Sequence, residues 1–338
     1  MPLTVDIVAA IAALAIVSPQ NGETVSVDAP EKPVQRPVRL AWSGGGDGVT
    51  ILAVKPEGGE RELFSITNAT EAYITNLELG RRYAWGVVPE EGGSSAAASF
   101  TAEGEPPRLL RVEGLGNIRD LGGWTGLGGR RVKQGMVFRS AGLRASSVRK
   151  GGSTFAPIFQ PGVTNVTDAA LEYMRGEFGI KTEIDLRPRD ETVFMASSLL
   201  GPDVAFVKIP FPSGADIDDI VRGREPFIKI FRRFLDEKNY PVIFHCADGI
   251  DRTGTLAFIL NGLLGVSEAD LRRDWEASGR AVGNTSAIVN KLESLVGYLR
   301  SSGGRDMAEC CEDFAKGCGV SDDEIAAFRA IMLEGGAG

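Results

Sequence analysis

Near the middle of the second half of the chain, "VIFHCADGIDRTGT" (242–255) places the only histidine, His245, directly before Cys246. Five residues later come Arg252, Thr253 and Gly254. An apolar strand-like run ends at the cysteine and a helix-like run begins near the arginine. The backbone N–H groups of such a loop, with those of the helix's first turn, converge on one point and make an anion site. The same positive potential lowers the pKa of a thiol held there, so Cys246 is expected to be a thiolate near neutral pH. Arg252 can grip two oxygens of a phosphate. Gly249 and Gly254 suit a turn of unusual dihedrals and close helix packing. Thr253 can donate its hydroxyl to the sulfur when a covalent intermediate breaks down. The chemistry these parts allow is nucleophilic phosphoryl transfer, with Cys246 attacking and water then hydrolysing a phosphocysteine. Ala247, Asp248, Gly249, Ile250 and Arg252 would line the phosphate.

One histidine also excludes chemistry. No multi-histidine metal site can be built, and no metal or cofactor is expected. His245 and Cys246 adjoin at a strand end, so their side chains should face opposite ways, which disfavours a direct Cys–His dyad. Cys310, Cys311 and Cys318 match no zinc spacing. They read as packing residues or free thiols, with a local 310–318 or 311–318 bridge as the other option.

A resemblance enters on these residues. His-Cys-x5-Arg-Thr-Gly resembles the signature loop of cysteine-dependent protein tyrosine phosphatases, in which the histidine supports the loop and is not the base. "GNIRDLGGWTGLGGRRVKQGMVFRSAGL" (116–143), "IDLRPRDE" (184–191) and "LLGVSEADLRRDWEAS" (263–278) are similar, in order, to segments of the bacterial atypical members. The likeness runs over roughly 108–334. It implies phosphotyrosine as substrate, with other phosphomonoesters taken by some members. It also implies that Asn117, Arg119 and Asp120 brace the phosphate loop, and that Asp185 or Asp251 is the general acid. Asp216, in "PFPSGADIDD", is the alternative acid, because many relatives carry theirs on a loop some distance before the cysteine. Arg187 reads as a partner of Asp185.

The sequence departs from the inositide-cleaving relatives at the loop itself. "ADGID" holds two acids and no lysine, and a second phosphate near such a rim would be repelled by about 1 kcal/mol or more per pair. Phosphoinositide or inositol-phosphate hydrolysis therefore stands behind phosphotyrosine. A non-catalytic phosphate-binding module and a sulfur-transferring loop are the readings from other classes. "LRASSVRKGGSTFAPIFQPG" (143–162) looks like an insertion, either a lid supplying charge through Arg144, Arg149 and Lys150 or a solvated loop.

The elements that position these residues follow from periodicity. After "AEGEPPR" (102–108), strands at 181–187, 204–211 and 241–246 alternate with amphipathic helices. That is the pattern of an α/β domain with a mostly parallel sheet flanked by helices. Thr167 should cap a helix, and Ser321 with Glu324 should form a capping box. Before that linker, "VRLAWSG", "VTILAVKP", "EAYITNL", "RRYAWGVVPE" and "AAASFTAE" read as short strands of an all-β sandwich. "LELGRRYAWGV" resembles the tyrosine-corner region of fibronectin type III and immunoglobulin-like domains, with Trp42, Tyr83 and Trp85 as core. The expected division is 1–104 for the sandwich, as an accessory domain for an unidentified partner, and 105–338 for the catalytic domain.

Charge is uneven across that division. Residues 1–105 carry 14 acids and 7 bases, and the remainder 31 and 30, for a net charge of −8. An acidic chain is not expected to bind nucleic acid. The apolar run 7–17 is too short to span a bilayer. Asp6 and no base precedes it, so it reads as a buried segment of a cytoplasmic protein, with an export signal as the other reading.

Overall fold

In the computed structural model, residues 14–29, 34–44, 49–56, 62–67, 69–89, 95–144, 147–150, 154–157, 166–192, 195–212, 221–282 and 286–335 are described. The chain divides into two compact units, residues 1–30 with 35–105 and residues 31–34 with 106–338.

The first unit is all β. One antiparallel sheet has the order β1 (Ala15–Ser18), β3 (Val38–Ser43), β6 (Glu71–Ile74). The other has the order β2 (Glu23–Ser26), β8 (Ala96–Glu103), β7 (Arg82–Pro89), β4 (Val49–Pro56), β5 (Glu62–Thr67). Both sheets feed one apolar cluster. Val38, Leu40 and Trp42 enter it from β3, and Tyr83, Trp85, Val87 and Phe100 from β7 and β8. Along β7 the buried residues are Tyr83, Trp85 and Val87, with Arg82 and Ala84 exposed, which is the two-residue period of a half-buried strand. The Tyr83 hydroxyl accepts the Glu78 N–H at 2.9 Å, tying the strand to the turn before it. Strands β1, β2 and β5 were not apparent in the sequence pattern. Of the apolar run 7–17, residues 7–13 lie outside the described residues and Ala15–Val17 belong to β1.

The second unit is built on a five-stranded sheet in the order β14 (Ala205–Lys208), β13 (Thr182–Asp185), β15 (Val242–His245), β10 (Val137–Ser140), β9 (Arg119–Asp120). The first four are parallel and β9 is antiparallel at the edge, while β11 (Ser147–Lys150) and β12 (Thr154–Pro157) pair antiparallel as a separate two-stranded sheet. β15 is central and covered on both faces, which explains its unbroken apolar sequence. Val242 and Phe244 join the cluster containing Leu256, Leu260 and Phe234, while Ile243 joins the cluster with Leu171 and Met174 on the other side.

Seven helices are described: α1 (Asp168–Gly176), α2 (Arg224–Phe231), α3 (Asp251–Leu263), α4 (Glu268–Val282), α5 (Ser286–Arg300), α6 (Met307–Gly317) and α7 (Asp322–Met332). Thr167 caps α1, and Ser321 with Glu324 forms a full capping box on α7. Helix α3 is buried from Thr253 to Leu263, so it lacks the amphipathic period of the surface helices. No described helix is long and apolar enough to cross a membrane. All four cysteines are free, which corrects the bridge option. Cys311 packs against Gly262 of α3, where a Cβ would stand 2.4 Å from its sulfur.

Candidate active site

The parallel register brings Ser140, His245 and Asp185 side by side at the carboxyl ends of β10, β15 and β13. Ligand sites of open α/β sheets form at those ends. From there the chain turns through Cys246–Ile250 and enters α3 at Asp251.

The turn is held by its carbonyls. Gly142 N–H donates to Ala247 O at 2.9 Å. The Asn117 side-chain amide donates to Asp248 O at 3.1 Å and to Gly249 O at 2.9 Å. Arg139 Nη2 donates to Gly249 O at 2.8 Å. In a planar trans peptide the carbonyl and the following N–H point opposite ways. Three successive carbonyls tied outward therefore turn the N–H groups of Asp248, Gly249 and Ile250 inward. Gly249 adopts φ +70°, and a Cβ there would lie 2.5 Å from Ser140 O, so only glycine fits. At Gly254 a Cβ would meet the Trp275 ring at 2.8 Å, which lets α3 sit close to α4.

Beneath the turn lies a buried ionic network. Arg119 Nε donates to Asp274 Oδ1 at 2.7 Å and Arg139 Nη1 to Asp274 Oδ2 at 2.6 Å. Arg119 also reaches Ser278 Oγ at 2.9 Å and Asn117 Oδ1 at 2.5 Å, so it orients the amide that grips the loop. Burial and the neighbouring Arg119 lower the Arg139 guanidinium to about 9, against the pull of Asp274 and Cys246, which leaves it cationic at neutral pH. Asp274 resists burial and is held below the usual carboxylate range by the two arginines.

Asn117 thus bonds the loop directly and Arg119 bonds Asn117. Asp120 does neither: it pairs with Arg108 at 2.7 Å and accepts the N–H groups of Gly122 and Gly135. It fixes the hairpin at the sheet edge and touches none of the loop residues among its hydrogen-bond partners. Arg139, Asp274 and Ser278 were missed as individual residues. They lie inside "VFRS" and "RRDWEAS", where a charged or hydroxyl residue amid apolar neighbours was the available signal.

His245 is fully buried and points away from the sulfur side. Its Nε2 lies 2.9 Å from Glu183 Oε1, and Nδ1 lies 3.3 Å from the backbone oxygen of Cys246. Asp185 is fully buried too, with Oδ1 2.9 Å from Arg187 Nε and Oδ2 2.9 Å from Arg187 Nη2. Burial alone would raise its pKa, but His245 and Arg187 outweigh burial and hold it below the ordinary carboxylate range. Arg187 thus occupies both carboxylate oxygens. This geometry suits a support for the strand ends better than the general acid that the resemblance implies.

Arg252 sits at the start of α3 with both terminal nitrogens on Glu191, at 3.1 to 3.3 Å. Burial opposes its charge, and the Cys246 sulfur and Glu191 more than compensate. Asp251 pairs with Lys291 of α5 at 2.5 Å. Neither Glu191 nor Lys291 was singled out by the sequence. The Thr253 hydroxyl is buried and has no hydrogen-bond partner. Asp216 lies outside the described residues, as do Asp218, Asp219 and the side chains of Arg149 and Lys150.

Residues 110–153 and 161–334, well over half of the chain, match the model of the tyrosine phosphatase family. The chain belongs to the tyrosine phosphatase family. It is accordingly a phosphatase, a hydrolase of phosphorylated substrates. The break in the match, between 153 and 161, falls within the 143–162 segment that reads as an insertion. A Cupriavidus necator protein assigned as a tyrosine-protein phosphatase is 28% identical over 210 residues, 57% of this chain and 69% of that one. The tyrosine-protein phosphatase of Nostoc commune is 27% identical over 163 residues, 43% of this chain and 54% of its own. The chain thus spans about half the length of the Nostoc protein. Among solved structures, the P. aeruginosa protein TpbA is 14% identical with a TM-score of 0.34, covering 55% of this chain and 88% of that one. The tyrosine phosphatase assignment stands on the sequence match.

Proposed function

We propose that this phosphatase hydrolyses phosphomonoesters, phosphotyrosine in proteins foremost, through a phosphocysteine intermediate. The observation that carries the reading is the outward tethering of the Ala247, Asp248 and Gly249 carbonyls, which aims three N–H groups into the turn that begins at Cys246. Those N–H groups and Arg252 would hold the equatorial oxygens of the phosphoryl group, where charge is greatest in the transition state. Cys246 Sγ attacks phosphorus in line with the ester oxygen, and the guanidinium charges of Arg139 and Arg252 act on the sulfur. Thr253, whose buried hydroxyl is unpartnered, would donate to the sulfur as it leaves. His245, held by Glu183, supports the strand end from the far side and takes no proton from Cys246.

The rim favours a simple phosphomonoester over a polyphosphorylated ligand. Asp248, Asp251 and Glu191 bring three acids, and Lys291 is already paired with Asp251. For the first unit we propose a fibronectin type III-like sandwich, on the strength of its two sheets sharing one core and the Tyr83 tie to Glu78. The test is turnover of phosphotyrosine peptides by the intact chain in the presence of a chelator. Cys246→Ser should abolish turnover and vanadate should inhibit the wild type; retained activity in the variant would refute the reading.

A further inference from the structure

We propose that Asp248, inside the phosphate loop, is the proton donor to the leaving group. The inference rests on the phosphocysteine reading above. That reaction needs a carboxylic acid that is protonated before the ester bond breaks. Among the described carboxyl groups around the loop, Asp185, Asp251 and Glu191 are each bonded to a cation. Asp185 is fully buried with Arg187 on both oxygens. Asp251, in the first turn of α3, is bonded to Lys291. Glu191 spans both terminal nitrogens of Arg252.

Asp248 differs on each count. Its Oδ1 is shut off from water and has no hydrogen-bond partner. An ionised oxygen in that position would lose more hydration free energy than a neutral one. Two further carboxylates, those of Asp251 and Glu191, act on it and oppose another negative charge. Burial first, and these two neighbours next, push the Asp248 carboxyl above the usual range against the pull of Arg252. Its backbone is also fixed, because the Asp248 carbonyl is tied by Asn117. The donor therefore keeps its place relative to Cys246, two positions earlier, without any separate loop having to close.

The step balances as follows. Cys246 Sγ forms the S–P bond while the P–O ester bond breaks, and the proton of Asp248 goes to the departing phenoxide oxygen. The Asp248 carboxylate then takes a proton from the attacking water. The new O–P bond displaces the cysteine sulfur, releasing inorganic phosphate.

The experiment measures turnover by the intact chain over a series of aryl phosphates, from dinitrophenyl phosphate to phenyl phosphate. In Asp248→Asn, phenyl phosphate turnover should fall about 10²- to 10⁴-fold. Dinitrophenyl phosphate, whose leaving group needs no proton, should fall far less, and the basic limb of the pH profile should vanish. Tungstate binding reports that the loop is intact; if the Asn variant loses it, Asp248→Ser takes its place. Equal loss on every substrate, or no loss, would overturn the proposal. So would the leaving-group signature appearing in Asp251→Asn or Asp216→Asn in place of Asp248→Asn. Turnover surviving in Cys246→Ser would instead refute the site itself, so the two failures are distinguishable.

Discussion

The two sides of the phosphate loop are built on opposite principles. Beneath it, Arg119, Arg139 and Asp274 form a buried ionic knot that holds Asn117 and, through it, the loop carbonyls. Around it, Arg252, Glu191, Asp251 and Lys291 keep between 15% and 31% of their side-chain surface in water. A buried network has one geometry, since any unpaired member bears its own desolvation cost. Pairs in contact with water can trade partners at lower cost. The floor therefore sets where the N–H groups point, while the rim can release Arg252 to a phosphate and manage protons.

The strongest way to break this contrast is to remove the centre of the knot. Asp274→Ala leaves two buried arginines without a carboxylate and should lower stability by about 3–5 kcal/mol, read from urea midpoints. A loss near zero would mean the floor is not a fixed network. Next, Arg252→Lys keeps the charge and loses the fork, and should cut turnover about 100-fold with the fold unchanged by circular dichroism. Gly249→Ala forces a Cβ toward Ser140 O at a positive φ, and should cost about 1–3 kcal/mol with weaker tungstate binding.

Asp185 gives a pH signature. Its folded pKa lies below the unfolded value near ~3.9, so its stabilisation is present above that value and is lost as pH falls through the folded pKa. Urea unfolding of Asp185→Asn should lack that part of the acid limb, while leaving-group dependence stays as in the wild type. The smallest effect belongs to the rim. Lys291→Ala should change stability by about 0–1 kcal/mol, and a larger loss would place Lys291 with the floor.

The same contrast explains what was legible in the sequence. His245, Cys246, Arg252 and the glycines form one contiguous stretch whose types and spacing carry the geometry. β15 and α3 followed from their apolar runs, and Ser321 with Glu324 from the capping pattern. The floor is assembled from Asn117, Arg119, Arg139, Asp274 and Ser278, far apart in the chain, and no local period reveals that they meet. For Asp185 the sequence shows a carboxylate but not that Arg187 bonds both its oxygens. Glu191 and Lys291 come from surface-like segments whose ordinary reading is solvated charge. β1, β2 and β5 were missed because two are four-residue strands and the third is flanked by charge, so alternation had little length in which to show.

The central claim is that Cys246 carries the phosphoryl group. Rapid acid quench of the wild-type chain during turnover of a radiolabelled phosphotyrosine peptide tests it directly. The account predicts an acid-stable thiophosphate label on the peptide containing Cys246, absent from Cys246→Ser. Turnover without label, or label on any other residue, would contradict it.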